Sequence, residues 1–179
     1  MKRIGAREMS MCALFAALTA VLSQVSIPIG PVPINLATFA VFAAGAMLGA
    51  KLGTLSIAVW VALGAFGVPV FSGFQGGLGR LFGPTGGYIL GFLPAAWLTG
   101  LLCGRQQKKS VLRFALTMLP GMLIYLLLGT IWFMHVTGNG LAQALALCVW
   151  PFIPGDFIKI FLAATLALKL PFTKRFGKM

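Results

Sequence analysis

The sequence predicts an all-α integral membrane protein with six transmembrane helices and both termini on the cytoplasmic side. Three observations lead there. Of 179 residues, 59% are hydrophobic and only 9% are charged, which is more apolar surface than a water-soluble domain of this length can hide. The apolar residues fall into runs suited to a hydrocarbon core about 30 Å thick, which takes roughly 20 helical residues to cross. Twelve of the fourteen Lys and Arg residues also lie where a six-span chain has its cytoplasmic loops and ends.

The first helix, residues 9–27, follows Lys2, Arg3 and Arg7. A secretory signal also starts with basic residues, but this apolar run outlasts a signal's short core and offers no persuasive cleavage site, so it reads as a span. Pro28, Gly30, Pro31 and Pro33 stop it. Residues 34–50 and 52–66 read as two short helices joined by a tight cytoplasmic turn at Lys51 and Gly53. Residues 67–87, GVPVFSGFQGGLGRLFGPTGG, form an outer glycine-rich loop too long and irregular for a simple connector. The fourth helix takes residues 87–103, and a basic loop with Arg105, Lys108, Lys109 and Arg113 leads to the fifth, residues 112–135. The apolar stretch 141–170 is interrupted by Pro151, Pro154 and Gly155. That break places the sixth helix at residues 156–170 and leaves 141–150 as a short helix at the outer surface.

The tail adds Lys169, Lys174, Arg175 and Lys178 to the cytoplasmic face, leaving only Arg80 and Lys159 outside the pattern. Five or seven spans would destroy this segregation. Residues 1–179 thus read as a single membrane domain with no room for an aqueous one, and any ATP-consuming machinery is expected on other polypeptides.

Several function classes drop out. The net charge of +12 does not mark a nucleic-acid binder, because no solvated basic face remains outside the helices. Cys12, Cys103 and Cys148 are far apart in apolar runs and suggest neither a disulfide framework nor a metal site. The single histidine, His135, has no partner at metal-ligand spacing and reads as interfacial. No HExxH, no serine placed for a triad and no phosphate-cradling glycine motif occurs, so no enzyme, metal or cofactor is expected.

An ionisable group within a membrane costs at least about 2.5–3.5 kcal/mol, which makes each one a functional candidate. Asp156 and Lys159, three residues apart, share one face of the sixth helix. They can form an ion pair that holds the bundle together, or jointly grip a polar ligand. The glycines of the outer loop can let backbone approach a ligand, with Phe71, Phe74 and Tyr88 as apolar walls, or can simply fill a flexible loop. Trp60, Trp97 and Trp132 read as belt or core residues, with Trp150 a possible ligand contact. Ala13 with Ala17, and Ala16 with Ala20, give the first helix small residues at four-residue spacing, a pattern that suits an internal or an external helix partner equally.

Three segments, PVPINLATF (residues 31–39), GVPVFSGFQGGLGRLFGPTGGYILGF (67–92) and PFIPGDFIK (151–159), together resemble the BioY family. BioY proteins are the membrane-embedded biotin-binding S components of energy-coupling factor (ECF) transporters. The chain departs from the family's usual pattern at Asn35 and Ala37, where Thr and Gln are customary. The resemblance implies a six-helix substrate-capture component that takes biotin from outside and works with a transmembrane coupling protein and two cytoplasmic ATP-binding cassette subunits. It implies that Asp156 and Lys159 bind the polar parts of biotin and that Gly73, Phe74, Gln75, Gly76 and Tyr88 form much of the pocket. Asn35 and Trp150 complete the expected ligand set. The small-residue face of helix 1, at Ala13, Ala17, Ala16 and Ala20, is where it implies docking on the coupling protein. The alternative is a solitary secondary transporter or facilitator of biotin or a related carboxylated vitamin.

Overall fold

The computed structural model describes residues 5–106 and 110–170. Lys2, Arg3, Lys108, Lys109, Lys174, Arg175 and Lys178, which enter the charge argument, lie outside the described residues. The elements are α1 (Ala6–Gln24), β1 (Ser26–Ile27), β2 (Ile34–Asn35), α2 (Ala37–Ala65), α3 (Leu78–Phe82), α4 (Gly86–Arg105), α5 (Val111–Thr137), α6 (Leu141–Cys148) and α7 (Phe152–Lys169). Among the described residues the only strands are the small β1–β2 pair, and the other named elements are helices. Among the described residues four helices are long and apolar enough to cross a membrane, five if α6 and α7, bent by 47°, count as one broken span.

Helix α1 starts earlier than the hydropathy pattern suggests, because Glu8 accepts a hydrogen bond from the Gly5 N–H at 2.8 Å and places negative charge at the helix N-terminus. It also ends earlier, at Gln24 rather than residue 27: Ser26 and Ile27 pair antiparallel with Asn35 and Ile34, so the proline cluster becomes the tip of a hairpin.

Helix α2 is not one straight rod. Gly49 has φ 82° and ψ 178°, a backbone conformation open only to glycine. A Cβ added at Gly53 would lie 2.8 Å from the Ala44 carbonyl oxygen, whereas nine residues of straight helix span about 13 Å. The chain therefore folds back on itself, and the two arms of α2 run antiparallel. The reversal sits at Gly49, with Lys51 and Gly53 already in the second arm.

The two arms pack with α4 at the centre of the bundle; α5 closes on α4, α7 on α2 and α5, and α1 lies against α2. Backbones approach closely because small residues line the crossings. A Cβ at Gly45 would sit 3.0 Å from Thr99 Cβ, and one at Gly121 2.6 Å from Thr99 Oγ1. Ala37, Ala40, Ala43, Ala95, Ala96 and Ala163 are buried, while Leu116, Leu123, Leu127, Ile131, Phe157 and Phe161 face outward. Small residues at the helix crossings with large apolar ones facing outward is the distribution expected when lipid is the solvent.

The break between α6 and α7 is shorter than the prolines suggest. Helix resumes at Phe152, so Pro154 occupies the first turn of α7, where its missing N–H has no intrahelical partner to lose. Asp156 consequently lies a turn inside the helix rather than at its start. Residues 67–87 are likewise not a structureless loop. They contain a tight hairpin in which Phe71 and Gln75 pair, then α3, then the first turn of α4.

Candidate functional site

A cavity opens at the end of the bundle covered by the 26–35 hairpin and the glycine-rich segment, with about 580 Å³ of empty space counted to its mouth. Val32, Pro33 and Asn35 form one lip, and Phe71 and Ser72 form the other.

Its walls are a chain of aromatic rings drawn from five segments. Phe71 meets Trp60 edge-on at 5.2 Å, Phe92 stands 5.3 Å from Tyr125, and Tyr88 stacks on Phe152 at 6.3 Å with 10° between the planes. The polar ends of these rings are tied back. Trp60 Nε1 donates to the Val70 carbonyl at 3.0 Å, and the Tyr88 hydroxyl lies 3.2 Å from Thr130 Oγ1. The faces left toward the cavity are apolar.

At the inner end Lys159 lines the cavity and is 6% exposed. Asp156, 0% exposed, sits behind it and accepts from Lys159 Nζ at 3.1 Å, from Thr38 Oγ1 at 3.4 Å and from the Tyr125 hydroxyl. Wholly buried and with three donors converging on it, this carboxylate does not line the cavity. The i,i+3 spacing on α7 creates the pair, but Thr38 from the first arm of α2 and Tyr125 from α5 fix the direction in which it points. A buried charge pair is tolerated only with its remaining lone pairs satisfied, as here.

A second cation completes the site. Arg80 on α3 lines the cavity, and among the described residues no carboxylate pairs with it. Glu8 and Asp156 are the chain's two acids; Glu8 caps α1 and Asp156 is committed to Lys159. The cavity therefore carries one uncompensated positive charge.

Of the residues singled out from sequence, Asn35, Tyr88 and Lys159 line the cavity and Asp156 backs it. Asn35 also turns its Oδ1 onto the Ala37 N–H at 3.0 Å, at the entry to α2. Phe74, 73% exposed, and Trp150, 66% exposed, do not line the cavity; one stands at a hairpin tip and the other at the α6–α7 break. Gly73, Gln75 and Gly76 shape the lip without lining the cavity; a side chain at Gly76 would strike the Val68 carbonyl. The alanines of α1 divide. Ala13 and Ala17 are exposed, whereas Ala16 is 3% exposed in the core and Ala20 is packed against it, so the second pair is an internal contact.

Thr38, Trp60, Arg80, Phe92 and Tyr125 are site residues that the sequence pattern did not single out. Arg80 had a signal: it breaks the cytoplasmic bias of the basic residues. The others look like ordinary membrane-helix residues until packing brings them together.

An apolar helical bundle enclosing an aromatic cavity with a net positive charge defines a multi-pass membrane protein with a cavity complementary in chemistry to a small, largely apolar anion. The particular family is also established: the chain belongs to the BioY family, whose sequence profile matches residues 1–175. It is 45% identical over 165 residues to the probable biotin transporter BioY of Pyrococcus horikoshii, covering 92% of this chain and 96% of that one. It is 39% identical over 164 residues to the biotin transporter BioY of Thermotoga maritima, covering 92% and 95%. The fold superposes on the crystal structure of the S-component for biotin from an ECF-type ABC transporter with a TM-score of 0.86. That match has 30% identity and covers 92% of this chain and 90% of the other.

Proposed function

We propose that this protein is the biotin-capturing S component of an ECF-type uptake transporter, taking biotin from outside the cell. The observation that carries the reading is the charge balance of the cavity, in which aromatic walls surround a site with one cation more than it has anions. Biotin matches it chemically, with a carboxylate, an apolar ring and chain, and a ureido group that both donates and accepts hydrogen bonds. Arg80, whose charge no carboxylate among the described residues balances, takes the carboxylate. Lys159, already neutralised by Asp156, donates to the ureido carbonyl, and Trp60, Tyr88 and Phe92 cover the apolar portion. The names of the relatives support the choice of vitamin.

The same reading gives six spans: α1, the two arms of α2, α4, α5, and the bent α6–α7 pair. Both termini then lie in the cytoplasm with the basic loops, and the cavity opens outward. A membrane-impermeant thiol reagent outside intact cells modifies a cysteine placed at Phe74 and spares one placed at Lys51; the reverse result overturns the orientation.

Energy for uptake comes from a transmembrane coupling protein and two cytoplasmic ATPases, with Ala13 and Ala17 on the exposed face of α1 as the docking stripe. Two measurements test the reading. Purified protein binds biotin one to one and its methyl ester at least about tenfold more weakly; absence of biotin binding defeats the assignment. Vesicles containing this protein alone show no concentrative uptake, and robust accumulation without ATPases establishes a solitary transporter instead.

A further inference from the structure

The last turn of α1 carries both lips of the cavity. Gln24 uses both ends of its amide: Oε1 accepts from the Phe74 N–H at 2.8 Å, and Nε2 donates to the Phe71 carbonyl at 3.2 Å. Beside it, the buried Ser23 hydroxyl reaches the Val70 carbonyl at 2.6 Å. The next residue, Val25, accepts from the Leu36 N–H at 3.1 Å, so the 26–35 lip hangs from the same turn.

The lip at 71–75 needs that support. Phe71 and Gln75 exchange both backbone hydrogen bonds, at 2.8 and 3.2 Å, and the tip between them turns through Gly73 at φ 75° and Phe74 at φ 55°. Phe74 is the one non-glycine residue with positive φ among the described residues, a conformation a bulky side chain resists. Gly67 and Gly77, also at positive φ, flank the segment. The hairpin is thus a strained turn between two glycine pivots, and Gln24 bonds to both its base and its tip. Gln24 does not line the cavity, but Phe71 and Ser72 do.

We infer that Gln24 is a positioning residue that latches the 71–75 lip over the cavity and so sets how long a bound ligand is retained. The inference rests on the biotin-capture reading for its ligand, and the geometry of the latch is independent of it. Breaking the latch lets the lip, with Phe71 and Ser72, swing away while every side chain that lines the cavity keeps its identity, so escape quickens while arrival is not slowed.

The test uses the full chain in detergent or lipid discs. Gln24→Leu keeps the bulk and removes both hydrogen bonds; Gln24→Glu keeps an acceptor for the Phe74 N–H and loses the donor to Phe71. Biotin dissociation is expected to quicken about tenfold in Gln24→Leu and by less in Gln24→Glu, with association unchanged or faster. A cysteine at Ser72 reports lip opening without biotin, since Cys12, Cys103 and Cys148 are buried. Its reaction with an impermeant maleimide is expected to be several-fold faster in the Gln24→Leu background. Unchanged dissociation and labelling in a variant whose thermal unfolding matches the parent overturns the latch, as does slowed association with unchanged dissociation. If Gln24→Leu fails to fold, the same comparison in Gln24→Glu decides. If the parent protein does not retain biotin, the capture reading fails and the labelling rates alone judge the latch.

Discussion

Lys159 and Asp156 share one face of α7 yet have separate tasks: the ammonium reaches the cavity, and the carboxylate stands 3.1 Å behind it, wholly buried. Asp156 makes a charged lysine tolerable at that depth, and Thr38 and Tyr125 hold the carboxylate where it can do so. The pair therefore links stability to binding.

Removing either partner strands the other charge. Asp156→Asn and Lys159→Ala are each expected to destabilise the protein, by about 3–5 kcal/mol for a fully buried pair, and to weaken biotin binding at least about tenfold. The double variant Asp156→Leu/Lys159→Met restores thermal stability and not binding. Thermal unfolding and equilibrium titration of the same samples check both halves, and retained affinity in the double variant excludes Lys159 from the site.

Arg80 and Lys159 can be told apart by chemistry on the ligand. Arg80→Gln is expected to bring the affinities for biotin and its methyl ester within a few-fold of each other, by weakening the acid alone. Lys159→Met weakens both ligands in parallel. If Lys159→Met is the variant that loses discrimination, the two cations exchange roles.

Ala17→Leu and Ala16→Leu provide a paired test on a single helix. Ala17 is exposed, so the larger side chain is expected to leave folding and biotin affinity unchanged while impairing assembly with the coupling protein. Ala16 is in the core, and its substitution is expected to cost about 1–3 kcal/mol of stability through overpacking. Co-purification and thermal unfolding separate the two, and intact complexes with Ala17→Leu remove α1 from the docking surface.

The reversal within α2 predicts sensitivity at two glycines that no ligand touches. Gly49→Ala forces an L-residue into φ 82°, and Gly100→Ala drives a methyl group into the backbone of Gly49 and Ala50. Each is expected to lower the unfolding temperature by several degrees or to abolish folding, with Gly104→Ala, in open space, as a neutral control.

That the chain folds as a bundle of apolar helices was legible because lipid imposes a length and an apolar composition on every span, and both are written in consecutive residues. Glycine, proline and charge marked the turns to within a few residues. Boundaries shifted where a local bond outweighed composition: Glu8 extends α1 at its start, the β1–β2 pairing shortens it at Gln24, and Pro154 is absorbed into the first turn of α7. The Asp156–Lys159 pair was legible as well, since two charges three residues apart in an apolar helix share a face wherever that helix packs.

What the sequence could not decide was which of that pair faces the cavity, or what stands opposite it. Those answers depend on Thr38, Trp60, Arg80, Phe92 and Tyr125, which come from four different elements; all but Arg80, which breaks the cytoplasmic bias of the basic residues, look ordinary in their own segments. The distinction between Ala16 and Ala17, or between Tyr88 in the wall and Phe74 outside it, likewise depends on which neighbour a residue meets. Hydrophobicity and charge are properties of a residue and can be read along a chain; the direction in which a side chain points is a property of packing and exists only once the chain has closed.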